Sequence, residues 1–202
     1  MPEFIDLLPP QEALEKWLAS IDPRPKLEGI DTRLAGDRVI LQEVLAPHAL
    51  PTFNRSTVDG YAVRAADTHG ASDSMPVYLQ LAGEIRMGEP AHLTIAPQQC
   101  ALIHTGGMLP GDADAVVMLE NTQVARQQEI EVLRSAAAGE NVIEVGEDIQ
   151  AGDVMVEAGK LLRPADIGGL LALGITRIHA AQRPLVGIIS SGDEIVPPET
   201  EI

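Results

Sequence analysis

Ala101-Leu102-Ile103-His104-Thr105-Gly106-Gly107-Met108-Leu109-Pro110-Gly111-Asp112, then Ala115-Val116-Val117-Met118-Leu119, then Ile130-Glu131-Val132-Leu133: this stretch decides the fold. Its apolar runs are too short for helices and are cut by Gly, Pro and Asp, which punctuate strands. Ile130 to Leu133 alternates apolar and polar, as a half-buried strand does. The pattern extends outward to Val39-Ile40-Leu41, Tyr61-Ala62-Val63, Val77-Tyr78-Leu79, His92-Leu93-Thr94-Ile95, Val142-Ile143, Val154-Met155-Val156 and Ile175 to Ile178. Turn residues recur every 8–12 residues or so, the spacing of an all-β region.

Two helices flank it. Pro10 suits a first helical position, and Leu14, Trp17, Leu18 and Ile21 follow as one apolar face. Asp22-Pro23-Arg24-Pro25 ends that helix. A second begins at Pro164, carries Ile167, Leu170 and Leu171, and is closed by Gly174 in a left-handed cap. Leu185-Val186-Gly187-Ile188-Ile189-Ser190 then reads as a fully buried parallel strand. It is expected to be the first strand of an α/β domain that continues beyond these 202 residues. There is no internal repeat. The expected class is mainly β with a few helices (α+β).

Composition removes several functions. The formal net charge is −16, with 30 acidic and 14 basic residues. Only three lysines occur, Lys16, Lys26 and Lys160, with no basic run for nucleic acid or an anionic membrane. No apolar stretch approaches the ~20 residues of a membrane helix, and Met1 to Asp6 lacks the pattern of a signal peptide. A cytoplasmic protein is expected. Cys100 is the single cysteine, so there is no disulfide framework and no cysteine zinc site; it reads as a small buried hydrophobe. Gly159-Lys160 is followed by Leu161, so there is no Walker loop, and neither G-x-G-x-x-G nor H-E-x-x-H occurs. Any metal would be held by carboxylates, which favours a hard ion such as Mg²⁺.

Three loops concentrate polar chemistry. Asn54-Arg55-Ser56-Thr57-Val58-Asp59-Gly60-Tyr61-Ala62 sets a carboxylate, hydroxyls and an arginine beside a glycine turn. His104 to Asp112 leaves a strand through two glycines, where backbone N–H groups can meet an anion. Gly146-Glu147-Asp148-Ile149 holds two carboxylates in a tight turn. Taken singly, Asp-Gly reads as a hairpin turn, Thr-Gly-Gly as a strand end, Gly-Glu-Asp as a solvated turn, and His104 as packed and hydrogen-bonded rather than catalytic.

Together with a fourth stretch the loops resemble the molybdopterin molybdenumtransferase family (MoeA, also the gephyrin E-domain family). Phe53 to Arg64 is similar to its S-x-x-D-G-Y-A block. Thr105-Gly106 through Pro110, with Asp114 to Met118 and Glu120, resembles T-G-x-x-x-P…D-A-V-V-x-x-E. Gly146 to Ile149 with Gly159 resembles G-E-D-I…G, and Ser190-Ser191-Gly192-Asp193-Glu194 resembles S-T-G-D-E, with Ser191 in place of threonine. Four blocks in the family's order cover nearly the whole chain.

The resemblance implies two β-rich subdomains, one inserted in the other: residues 1–45 with 145–182 as a discontinuous part, 46–144 as the insertion, and 183–202 as the start of a truncated α/β domain. It implies the N-terminal part of an enzyme that inserts molybdate into adenylylated molybdopterin and releases AMP, with Mg²⁺ or another divalent cation. It implies a homodimer, with molybdopterin adenylyltransferase and molybdoenzymes as further partners. By motif match, Asp59, Thr105, Asp148 and Glu194 are catalytic candidates, Ser56, Gly106 and Ser191 contact substrate, and Asp148 and Glu194 hold metal. Since these ligands are anionic and the chain is strongly acidic, this portion alone is expected to bind them weakly. The competing expectation is a non-catalytic dimerisation or scaffold module of the gephyrin type.

Overall fold

The computed structural model describes residues 8–21, 24–188, 190, 192 and 194–201. In chain order its elements are α1 (Pro10–Ala19), β1 (Leu27–Asp31), β2 (Val44–Leu45), β3 (Arg55–Ser56), β4 (Gly60–Val63), β5 (Val77–Glu84), β6 (Gln99–Ile103), β7 (Ala115–Met118), β8 (Thr122–Arg126), β9 (Glu129–Val132), β10 (Val142–Ile143), β11 (Val154–Val156), α2 (Pro164–Ala172) and β12 (Arg177–Ala181). The fold is mainly β with two helices. No helix among the described residues is long and apolar enough to cross a membrane. The chain divides into two compact units, Val44–Met155 and a discontinuous one of Met1–Glu43 with Val156–Ile202.

The Val44–Met155 unit is organised by a six-stranded sheet in the order β7-β4-β6-β5-β9-β8. Neighbours are antiparallel except the parallel pair β5–β6. Successive side chains of a strand point to opposite faces, and here both faces are covered. Tyr61, Val63, Cys100, Ala115, Val117, Ile130 and Val132 share one core cluster. Ala62, Ala101, Ile103 and Val116 join Ile85, Ile95 and Leu109 in another. That explains why β4 and β7 are apolar at every position. Burial pushes the Cys100 thiol up to about 12, so it behaves as a small hydrophobe. Gly60 is demanded by the pairing of β4 with β7: a Cβ there would collide with the Val117 carbonyl oxygen.

The expected strand at His92 to Ile95 is reduced to one bridge, Thr94 with Gly111. That segment belongs to the β5–β6 crossover, and Ile95 packs into the core there without entering a ladder. Strand β8, Thr-Gln-Val-Ala-Arg, went unpredicted because it is an edge strand with one apolar face position buried by half at most.

In the discontinuous unit, β1 pairs antiparallel with β12, from Leu27–Ala181 to Asp31–Arg177. Val39 and Ile40 make single bridges, to Leu161 and Ala180, rather than a strand. Helix α2 starts at Pro164, and Asp166 Oδ2 accepts the Arg163 N–H at 2.9 Å. Gly174 lies at φ 73°. The Ile175 N–H donates back to Leu170 C=O at 2.9 Å, the wrap that closes a helix end. Ile175 is thereby kept out of the ladder, and the strand expected from Ile175 begins at Arg177 instead. Helix α1 forms as expected but buries no residue: Leu14, Trp17 and Leu18 are all exposed. The buried strand expected at Leu185 to Ser190 is not formed among the described residues. Leu185 is 100% and Ile188 90% exposed, and residues 182–188 belong to no strand. Ile189 and Ser191 lie outside the described residues.

Candidate functional site

Three of the four sequence blocks converge in the Val44–Met155 unit because segment 50–56 serves both flanking loops. β3 pairs with β10, Ser56 opposite Val142 and Arg55 opposite Ile143. On the other side Leu109 N–H donates to Asn54 C=O at 2.9 Å and Ser56 N–H to Gly107 C=O at 3.0 Å. The Gly106 N–H returns to Ser56 C=O at 2.8 Å. Asn54 Oδ1 accepts the Val145 N–H at 2.9 Å, Gly146 N–H donates to Pro51 C=O at 3.0 Å, and Asp148 N–H to Leu50 C=O at 3.0 Å. Residues some 50 and 90 positions apart in sequence are thus held on one backbone strip by main-chain bonds. Gly106, at φ 81°, makes the reversal out of β6 that a side chain would strain.

Asp59 stands at the centre. Its Oδ1 accepts the Thr105 N–H at 2.8 Å and the Thr105 Oγ1–H at 3.2 Å. The Thr105 backbone donor outweighs the opposing desolvation and, with smaller help from the Thr105 hydroxyl and nearby His104, holds the Asp59 carboxyl below the usual range. Asp59 is therefore a fixed carboxylate at neutral pH, suited to accept from a water or a ligand hydroxyl.

The loop after β6 does not form the anion cradle that its glycines suggest. Thr105 N–H is bound to Asp59, Gly106 N–H to Ser56, and Gly107 N–H to His104 C=O at 2.8 Å. These donors are engaged inside the protein, because the loop closes on its own strand end and on the Asp59 turn. Ser56 is buried, and its hydroxyl donates to Val58 C=O at 2.6 Å, so it shapes the turn that carries Asp59.

Two neighbours of Asp59 were not singled out as site residues by sequence. His104 Nε2 lies 3.1 Å from Glu84 Oε1, and His104 Nδ1 lies 3.8 Å from Asp59 Oδ1. Glu84 ends β5, and only the β5–β6 pairing brings it there. The histidine next to the Thr-Gly-Gly turn was the available signal. A further residue outside the site candidates is Arg55, beside Asp148: its guanidinium lies 4.0 Å from Asp148 Oδ2, and its Nε is buried without a hydrogen-bond partner.

Asp59, Thr105, Gly106 and Ser56 are therefore brought together, and Asp148 is joined to the same strip through Arg55. Glu194 lies in the other unit, in a turn closed by Ile195 N–H to Gly192 C=O at 3.1 Å. Ser191 falls outside the described residues. Among the described residues no three His, Cys, Asp or Glu side chains are grouped as a metal site requires. Asp148 has a guanidinium for its neighbour, so these residues do not by themselves fit a divalent cation.

Known proteins extend the picture. A family model described as MoeA N-terminal region (domain I and II) matches residues 8–174. Molybdopterin molybdenumtransferase 2 of Mycobacterium tuberculosis is 36% identical over 160 residues, 79% of this chain and 39% of the relative. Molybdopterin molybdenumtransferase of Bacillus subtilis is 35% identical over 162 residues, 79% of this chain and 38% of the relative. The solved molybdopterin biosynthesis MoeA protein of Pyrococcus horikoshii superposes with a TM-score of 0.82 at 36% identity, over 96% of this chain and 49% of that one. The chain spans less than half the length of each of these proteins. With most of its length matched and the same fold in a solved relative, the chain belongs to the MoeA N-terminal region family.

Proposed function

We propose that this chain is the N-terminal part of a cytoplasmic transferase of molybdenum cofactor biosynthesis. In the complete protein the reaction is insertion of molybdate into adenylylated molybdopterin, with AMP released by hydrolysis. The observation that supports the reading is the Asp59–Thr105 contact. It joins two of the sequence blocks into one polar centre, with Asp148 tethered nearby through Arg55.

In this reading Asp59 accepts a hydrogen bond from water or from a ligand hydroxyl, and Thr105 holds it in place. Ser56 and Gly106 act by setting the two turns. Asp148 and Glu194 contribute carboxylates. A divalent cation such as Mg²⁺ needs further ligands from beyond the described residues. The site is acidic, with Asp59, Glu84 and Asp148 against Arg55 and a titratable His104. Oxyanions are therefore repelled by this portion alone, and the cations that receive them belong to the rest of the complete protein.

The test is molybdenum insertion by the complete protein carrying Asp59→Asn or Asp148→Asn. Each variant is expected to lose insertion by two orders of magnitude or more, about the effect of losing one aligned polar group at a reacting centre, while keeping its assembly state. Normal insertion by both would remove the catalytic reading. A second reading would then take its place, a dimerisation or scaffold module. The exposed Leu14, Trp17 and Leu18 face of α1 favours it, as a surface for a second copy of the chain.

A further inference from the structure

His104 carries an arrangement that the reaction reading leaves unused. It follows β6, between a carboxylate on each side. Its Nε2 is 3.1 Å from Glu84 Oε1 at the end of β5, and its Nδ1 is 3.8 Å from Asp59 Oδ1 in the turn before β4. A carboxylate only accepts hydrogen bonds. Glu84 therefore takes its bond from an Nε2–H, and in the neutral ring Nδ1 is left as a bare lone pair. That lone pair faces Asp59 Oδ1, which already receives both Thr105 donors. Two acceptors oppose each other at this contact. When the neutral ring gains a proton, Nδ1 is the nitrogen free to receive it, and the opposition becomes an ion pair.

We propose that His104 is a positioning residue of Asp59: Glu84 holds the ring as its Nε2–H tautomer, so the ring's titrating proton sits on Nδ1, against the Asp59 carboxylate. With the ring neutral, Asp59 offers its full charge to a water or hydroxyl donor. With the ring charged, Asp59 is partly neutralised, and the centre repels an oxyanion less. The charged neighbours are few. Asp59 comes from the turn before β4 and Glu84 from β5; Arg86, Glu89 and His92 of the β5–β6 crossover line a cavity with Glu84, and Arg55 is turned to Asp148. The idea deepens the reading of Asp59 as the polar centre and rests on it for its functional meaning, but its geometry is testable without turnover.

The experiment is nitrogen-15 NMR of the full 202-residue chain, reading the imidazole nitrogens of His104 and the amide of Thr105 across pH. The neutral ring is expected as the Nε2–H tautomer. The Thr105 amide is expected to shift in a step that tracks protonation of the ring. In His104→Gln that step disappears and only an acidic one, from Asp59, remains. In Glu84→Ala the tautomer preference is lost while the amide spectrum of β6 stays in place. An Nδ1–H tautomer in the unaltered chain, or a second Thr105 step, besides the acidic one, that survives His104→Gln, overturns the proposal. Failure of the transferase reading shows separately, as full insertion by Asp59→Asn in the complete protein.

Discussion

Ala115-Val116-Val117-Met118 and Leu185-Val186-Gly187-Ile188 look alike in sequence, and the structure treats them in opposite ways. The first is β7, with Ala115, Val116 and Val117 all buried. The second pairs with nothing among the described residues, and Leu185, Val186 and Ile188 stand 73–100% exposed. Their intrinsic β preference is similar. What differs is what lies alongside. β7 has β4 beside it in register from Gly60–Met118 to Val63–Ala115. Its two faces meet two different core clusters. An apolar run is thus a statement about a surface that must be covered, and the cover is supplied by chain far away in sequence.

Gly60 is a point of close approach between β4 and β7. Replacing it with Val drives a branched side chain into the Val117 carbonyl oxygen, a backbone atom that cannot turn aside. Forcing bulk into a packed contact costs about 1–3 kcal/mol, and losing the β4–β7 ladder adds to it. We expect a loss of at least about 3 kcal/mol in urea unfolding, with amide protection lost first along β7. The residues of β7 would then resemble 185–188. A variant as stable as the parent would show that β4 and β7 do not approach so closely.

Elements fixed by local signals were legible in the sequence, and those fixed by distant partners were not. Helix α2 was readable from Pro164 and Gly174, because a proline start and a left-handed glycine stop act locally. The central strands β4, β5, β6, β7 and β9 were readable because both or one of their faces is apolar. β1, Leu-Glu-Gly-Ile-Asp, was not, since a glycine and two acids hide its pairing with β12. β3 was not either, being two polar residues that become a strand only through Val142 and Ile143. In the site, the loops themselves could be picked out by composition. Their closure could not: whether a Thr-Gly-Gly turn offers its amides to a ligand or to Asp59 depends on where Asp59 lies. Glu84 was invisible for the same reason, being placed by the parallel β5–β6 pair.

A smaller effect is expected where the discontinuous unit holds its order. Asp166, almost fully buried, accepts Arg163 N–H at 2.9 Å and pairs with Lys160 Nζ at 2.9 Å and Arg163 Nε at 3.1 Å. The Arg163 side chain, then Lys160 and the Arg163 amide, hold its carboxyl well below the ordinary 3.8. Among the described residues after Gln182 no such clasp of buried charged groups is formed. In Asp166→Asn we expect about 2 kcal/mol of destabilisation at neutral pH, the scale of hydrogen bonds to a charged group. The folded value is depressed, so the carboxylate's contribution is complete above the unfolded value and is lost as pH falls through 3.8 toward the folded value. Urea midpoints of parent and variant should therefore converge as the pH is lowered from 7 to 3. A gap that is constant across that range would mean that charge plays no part in the clasp.

The smallest effect is expected at the exposed run itself. Leu185→Ser together with Ile188→Ser removes two large apolar side chains, yet both are already at least 90% exposed. Exposed substitutions away from caps and networks usually stay within about 0.5 kcal/mol. The double variant of this chain is expected to unfold at the parent's urea midpoint, whereas burial of either side chain here would show as a loss above about 2 kcal/mol. The relatives run to more than twice this length. In a longer chain carrying the remainder of their sequence, the same two substitutions test whether that remainder covers the run as the sheet of Val44–Met155 covers β7. If it does, each lost side chain costs about 2–5 kcal/mol, and one stretch of sequence is seen in both states.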